Sequence, residues 1–321
     1  MARIKENTLS ERINLSVPAI QLPRTSVHDA YALKFNITVA NASGAAVTPT
    51  AAQILGTIEQ VVLTSDSTRV HYALSGMDIA RRNAVTHASN TDNPINKTFS
   101  QIANSASGVC SFVMFLDEGD ILAFAHDSLE LKVVFNTAID TGVTVSGAEV
   151  ITTIIEKIPT ADEVVNWYGK NLEMAAEPKV YANTVSVSAN TEFSGILDLP
   201  TGTLLTGAML YFSTAPETVG ILQTVPDRVE LIKIDWDTMR AIDERKFRNA
   251  IPTGVIFFDY GLQWYSNGLG VPAWTYNKGD RQIAVKSTNA ITTFRYVSFE
   301  RMVDTVTFDK LGTANIGSAF V

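Results

Sequence analysis

The chain has 321 residues, 46% hydrophobic and only 18% charged, with a formal charge of −8. Its length exceeds what one hydrophobic core serves and points to two domains of roughly 150 residues each. The acidic balance argues against a general nucleic-acid binder, which needs clustered Lys and Arg, and the single cysteine, Cys110, excludes a disulfide framework or a multi-cysteine zinc site. There is no hydrophobic signal core at the start and no uncharged apolar run long enough to span a bilayer, so synthesis in a cytoplasm without a lipid anchor is expected. So weakly charged a surface implies that other subunits cover part of it.

In chain order, residues 1–10 have a mobile composition and are expected to form an arm. Arg3, Lys5 and, just beyond, Arg12 are the one basic concentration near the start. They are either a solvated face or a contact with an anionic inner layer such as a membrane or packaged nucleic acid. Alternation of apolar and polar residues, broken at Gly, Pro, Asn, Asp or Ser, then predicts half-buried strands. In the first half these are Ile13–Ile20, Ala32–Val39, Ile58–Thr64, Arg69–Leu74, Val109–Leu116, Leu129–Phe135 and Ala148–Ile158. A helix over Met77–Ala84 interrupts them. Thr160 and Glu163 after Pro159 have the form of a capping box, with Val164, Trp167, Tyr168 and Leu172 at helical spacing behind it. The second half predicts strands at Val180–Val187, Glu192–Leu199, Ala208–Thr214, Arg228–Ile234, Gly254–Tyr260, Gln282–Ser287 and Thr292–Arg301. Its helix, Asp237–Asn249, is capped by Asp237 and turns Met239, Ile242 and Phe247 inward.

Several landmarks recur in the same order in the two halves. Leu22-Pro23 leads into Tyr31-Ala32-Leu33-Lys34-Phe35 as Leu199-Pro200 leads into Ala208-Met209-Leu210-Tyr211-Phe212. Ile58-Glu59 and a helix ending Arg82-Asn83-Ala84 match Val229-Glu230 and a helix ending Arg248-Asn249-Ala250. Phe115-Leu116-Asp117-Glu118-Gly119 matches Phe257-Phe258-Asp259-Tyr260-Gly261. The expected fold is all-β, two tandem jelly-roll β-sandwiches with a few short helices. The expected division is an N-terminal arm (1–10), a first jelly roll (11–158), a linker helix (159–177), a second jelly roll (178–311) and a C-terminal tail (312–321).

This doubled order of strands, Leu-Pro turn, short helix and Phe-rich strand resembles the double jelly-roll major capsid proteins of tailless icosahedral viruses, which include membrane-containing bacteriophages, archaeal viruses and adenovirus. The resemblance covers nearly the whole chain and is architectural. It implies a virion shell built of homotrimers with a pseudo-hexagonal outline, both jelly rolls standing upright. The implied partners are neighbouring trimers, penton and minor capsid proteins and an internal lipid membrane met by the N-terminal arm. No cofactor and no sequence-specific nucleic acid is implied.

Motifs of chemistry are sparse. His28, His71, His87 and His126 lack the spacing that gathers metal ligands on one element. Asp117, Glu118 and Asp120 around Gly119 could offer oxygens to calcium or simply form a solvated turn. Gly268-Leu269-Gly270-Val271 is no phosphate loop, and no nucleophile elbow is present. Trp264, Tyr265, Trp274 and Tyr276 form two aromatic pairs in a Gly-rich loop. They could cover the second core, sit at a subunit contact or stack on sugars. A structural shell protein is the leading reading, a carbohydrate-binding or adhesin-like sandwich the alternative, and an enzyme is not expected.

Overall fold

The computed structural model describes residues 3–87, 90–164, 177–200, 203–224, 227–259 and 281–302. They form two units, the first running to Val180 and the second spanning Tyr181–Met302. The division falls inside a strand, just past the predicted domain start at residue 178.

The first unit contains β1 (Arg3–Asn14), β2 (Ala19–Gln21), β3 (Val27–Asn41), α1 (Ala51–Gly56), β4 (Ile58–Ser65), β5 (Arg69–Leu74), α2 (Gly76–Thr86), β6 (Ala106–Leu116), β7 (Leu129–Phe135), β8 (Ala138–Asp140), β9 (Val143–Ile158) and α3 (Ala161–Val164). One sheet has the order β1-β9-β3-β6, with β8 beside β9; in the other, β2, β7, β4 and β5 are successive neighbours. The pairings are antiparallel. β3 shows how the sequence produces this. Leu33, Phe35, Ile37 and Val39 are fully buried while Lys34 is exposed, the period-two alternation of a strand with one face in a core. β6 adds Phe112, whose ring stacks on Phe35 at 5.2 Å, and the second sheet adds Val61, Leu63, Leu131 and Val133. Each such burial contributes about 1.5–3 kcal/mol.

The first ten residues differ from the expected mobile arm. From Arg3 onward they are an edge strand, in register with β9 from Arg3↔Ile158 to Thr8↔Thr153. Composition misleads here because Ile13 is the one buried residue of β1. Main-chain hydrogen bonding to an open sheet edge holds the rest, a contribution that hydrophobic periodicity does not register. The predicted strand Ile13–Ile20 is in fact broken, because the Asn14 side chain accepts from the N–H groups of Ser16 and Val17 and turns the chain. No sequence-predicted element covers α1, although Thr50 and Gln53 form a complete capping box at its start. The box at Thr160 and Glu163 is present as predicted, and it opens α3. Trp167, Tyr168 and Leu172 lie outside the described residues.

The second unit contains β10 (Glu177–Val187, whose first four residues belong to the first unit), β11 (Asn190–Asp198), β12 (Leu204–Phe212), β13 (Thr218–Gln223), β14 (Val229–Asp235), α4 (Trp236–Phe247), β15 (Val255–Asp259), β16 (Arg281–Ser287) and β17 (Ile291–Met302). Its sheets run β15-β12-β17-β10 and β11-β16-β13-β14. Strand for strand this repeats the first unit, with β10 to β16 standing where β1 to β7 stand and β17 where β9 stands. Each helix, α2 and α4, joins the equivalent pair of strands. One core cluster draws Leu210, Phe212, Val219, Ile221, Phe258 and Phe294 from both sheets. β13 escapes the sequence reading because four consecutive residues, Val219–Leu222, are buried and no alternation is visible. Only glycine fits at Gly220, where a Cβ would lie 1.9 Å from the carbonyl oxygen of Ile232.

The landmark pairs on β3 and β12 and on β6 and β15 occupy equivalent strands. Ile58-Glu59 and Val229-Glu230 do not, since β4 and β14 hold different places in their sheets. The helix landmarks also shift. In α2 the Asn83 amide donates to the Phe115 carbonyl at 3.0 Å and accepts from the Phe115 N–H. In α4 it is Asp243 that accepts from the N–H of Phe257, at 2.7 Å. The cap of α4 is Asp235, not Asp237. Asp243, one turn beyond the buried Met239, takes the inward place predicted for Ile242, which is 45% exposed. Asn83→Ala and Asp243→Ala each leave a strand N–H unpaired, and denaturant unfolding should show each costing its own unit about 1–3 kcal/mol.

Candidate functional site

The residues singled out by sequence fall in three places. Arg3 and Lys5 lie exposed on β1, where Lys5 is 4.0 Å from Glu156, and Arg12 is 3.9 Å from Glu149. The acidic trio after β6 faces cations. Asp117 meets Arg82 at 2.7 Å and His87 at 2.8 Å, Glu118 pairs with Arg82, and Asp120 meets Lys157 at 2.8 Å. Burial raises the Asp117 carboxyl, but the His87 bond and the Arg82 charge outweigh it and bring it down to about 2. These carboxylates are arranged as ion pairs with Arg82, His87 and Lys157. Trp264, Tyr265, Trp274 and Tyr276 lie outside the described residues. Cys110 is buried on β6, and desolvation pushes its thiol up to about 11, the state of an inert cysteine.

Tertiary structure instead gathers a group that sequence spacing does not reveal: His71, His126 and Glu177, all buried, with their ligand-type atoms within 4.8 Å of one another. His71 is on β5, His126 precedes β7, and Glu177 is the first residue of β10. Asp66 joins them from the turn between β4 and β5. There Asp66 and Ser67 take φ of 52° and 62°, a left-handed conformation that Asp tolerates in turns.

The bonding of this group is closed. His126 Nδ1 donates to Asp66 at 2.9 Å and His126 Nε2 to Glu177 at 2.8 Å. Donating from both nitrogens requires the imidazolium. Burial disfavours that cation, but the bonds and charges of Glu177 and Asp66 outweigh the penalty and raise its pKa. Glu177 also accepts from the Leu122 N–H at 2.8 Å and lies 3.3 Å from Arg69. Burial pushes its carboxyl up, yet the His126 bond and the His126 and Arg69 charges hold it below the ordinary carboxylate range. His71 stays neutral, pulled down to about 4 mainly by burial; its Nδ1 donates to the Pro178 carbonyl and its Nε2 accepts from Ser65. Two carboxylates, one imidazolium and one guanidinium sum to zero. A divalent ion here would have to displace the His126 proton and sit beside Arg69. Chemically the group is a lock that ties the β4–β5 turn, the segment before β7 and the start of β10.

Fold and site define a class, the double jelly roll, here with a buried polar cluster in its first unit. No family model and no curated protein sequence matches the chain. Among solved structures it is similar to the major capsid protein of STIV, at 18% identity and a TM-score of 0.79 over 96% of this chain and 99% of that one. It is similar also to the atomic structure of Sulfolobus Turreted Icosahedral Virus, at 17% identity and 0.78 over 98% and 95%. The major capsid protein P2 from Bacteriophage PM2 matches at 14% and 0.58 over 93% and 97%. At these identities the likeness is one of fold: the chain has the double jelly-roll architecture of these capsid proteins.

Proposed function

We propose that the chain is a major capsid protein, a structural tile of an icosahedral virion shell that assembles as a homotrimer of six jelly rolls. The observation that carries this reading is the tandem duplication itself, two units that share the order of eight strands and match viral capsid proteins over nearly the full length of both chains. Duplication suits tiling, because two similar units per chain let three chains present six similar lateral faces. Rigid sandwiches carry those faces while loops vary without disturbing a core. The buried cluster fits a structural role, since His71, His126 and Glu177 are each bonded to other protein groups.

Light scattering on a sizing column, near neutral pH and moderate salt, tests the proposal. A stable species at three chain masses is the expected result. A monomer over a wide concentration range overturns it and directs attention to sugar binding by Trp264, Tyr265, Trp274 and Tyr276.

A further inference from the structure

The two units differ at one pair of edges. Residues Glu177–Val180, at the start of β10, are held against β5: Glu177 lies 3.3 Å from Arg69, and the Pro178 carbonyl accepts from His71 at 3.1 Å. Glu177, Pro178 and Val180 are buried there. The equivalent of β10 is β1, and the equivalent of β5 is β14. Residues Arg3–Glu6, at the start of β1, are all exposed, with Ile4 at 71%, and the edge of β1 away from β9 has no strand neighbour among the described residues. β14 likewise ends its sheet, with Val229 43% and Leu231 37% exposed. Each half of the contact made once within the first unit is therefore present a second time, without a strand neighbour among the described residues.

Resting on the capsid reading above, we propose that the β14 edge of one copy receives the start of β1 from a second copy, Ile4 seating against Val229 and Leu231. The charges complement each other. Glu230, already paired with Lys233 at 2.9 Å, lies between the two apolar residues of β14, and Arg3 and Lys5 flank Ile4, the signs of Arg69 on β5 and Glu177 on β10 exchanged. A bulge near Leu231, where Ile221 pairs with Ile232 and Leu222 with Glu230, limits main-chain pairing, so side chains carry the contact. Such a contact is head to tail, the kind that closes a ring when the rotation between successive copies is a simple fraction of a turn, as a trimer requires.

The test places Ile4→Cys and Leu231→Cys in one full-length chain, the native Cys110 being buried. After mild oxidation of the assembled protein, non-reducing electrophoresis should show chains linked in twos and threes, while each single variant stays unlinked. Ile4→Asp, which alters an exposed side chain and spares the fold, should raise the concentration for half-assembly about tenfold or more. A trimer that does not cross-link, or that links only within one chain, overturns the strand contact and leaves the capsid reading intact. A protein that is monomeric throughout overturns both. A thiol introduced by Ile4→Cys that is shielded by anionic lipid vesicles and not by assembly also overturns the contact, assigning the start of β1 to a membrane surface.

Discussion

Glu177→Ala should destabilise the first unit by about 3–5 kcal/mol, the cost of leaving a buried ion pair half-made. The carboxylate is fully buried and is the common partner of His126, Arg69 and the Leu122 N–H. Its loss takes one partner from each of two cationic side chains and from one amide at a buried site. Removal should also loosen the segment before β7 and the start of β10, because those elements meet at this group. Glu177→Gln, which keeps an acceptor for Leu122 and the shape of the side chain, should cost less. Calorimetry is the direct measurement, with hydrogen exchange at Leu122 reporting the local effect. A melting temperature unchanged by Glu177→Ala would mean that the network contributes nothing beyond filling space.

Acidification from pH 6.5 to 4 should cost the first unit several kcal/mol through its buried histidines. His71 and His28 are both buried, and desolvation pulls each from 6.5 down to about 4. His28 bonds Tyr31 through Nδ1 at 2.8 Å and faces Glu156 at 3.9 Å, which does not compensate its burial. Between pH 6.5 and 4 the unfolded chain takes up two protons that the folded one refuses, so stability falls as pH falls. A shift of this size is of order 3 kcal/mol per histidine. Below this window Asp66 and Glu177, whose folded pKa values lie under their ordinary ones, lose their contributions too. His126 acts oppositely: its pKa is raised, so its contribution is full below 6.5 and disappears as pH rises through the folded value. The stability optimum of the first unit should therefore lie near pH 6.5, and His71→Gln should flatten the acid limb. Unfolding free energies measured across pH 4–9 would decide it, and an acid limb unchanged in the variant would remove His71 from the account.

The sequence by itself determined the all-β class, the duplication and most strand positions, because half-buried strands write their burial as a period of two. β5 and β7 lie where alternation places them, at Arg69–Leu74 and Leu129–Phe135. Capping chemistry is equally local, which is why the Thr160 and Glu163 box was legible. Tertiary structure decided what no local pattern encodes. β1 is a strand because β9 has an open edge, and β13 is a strand whose buried run hides its period. Asn83 and Asp243 show themselves equivalent only through the strands they bond. The polar lock was illegible for the same reason: His71, His126 and Glu177 are separated by 55 and 51 positions along the chain and come together only when β5, the loop before β7 and the start of β10 are packed. Hydrogen bonds and ion pairs act over a few ångströms of space, and in a jelly roll the strands that are neighbours in space are seldom neighbours in sequence.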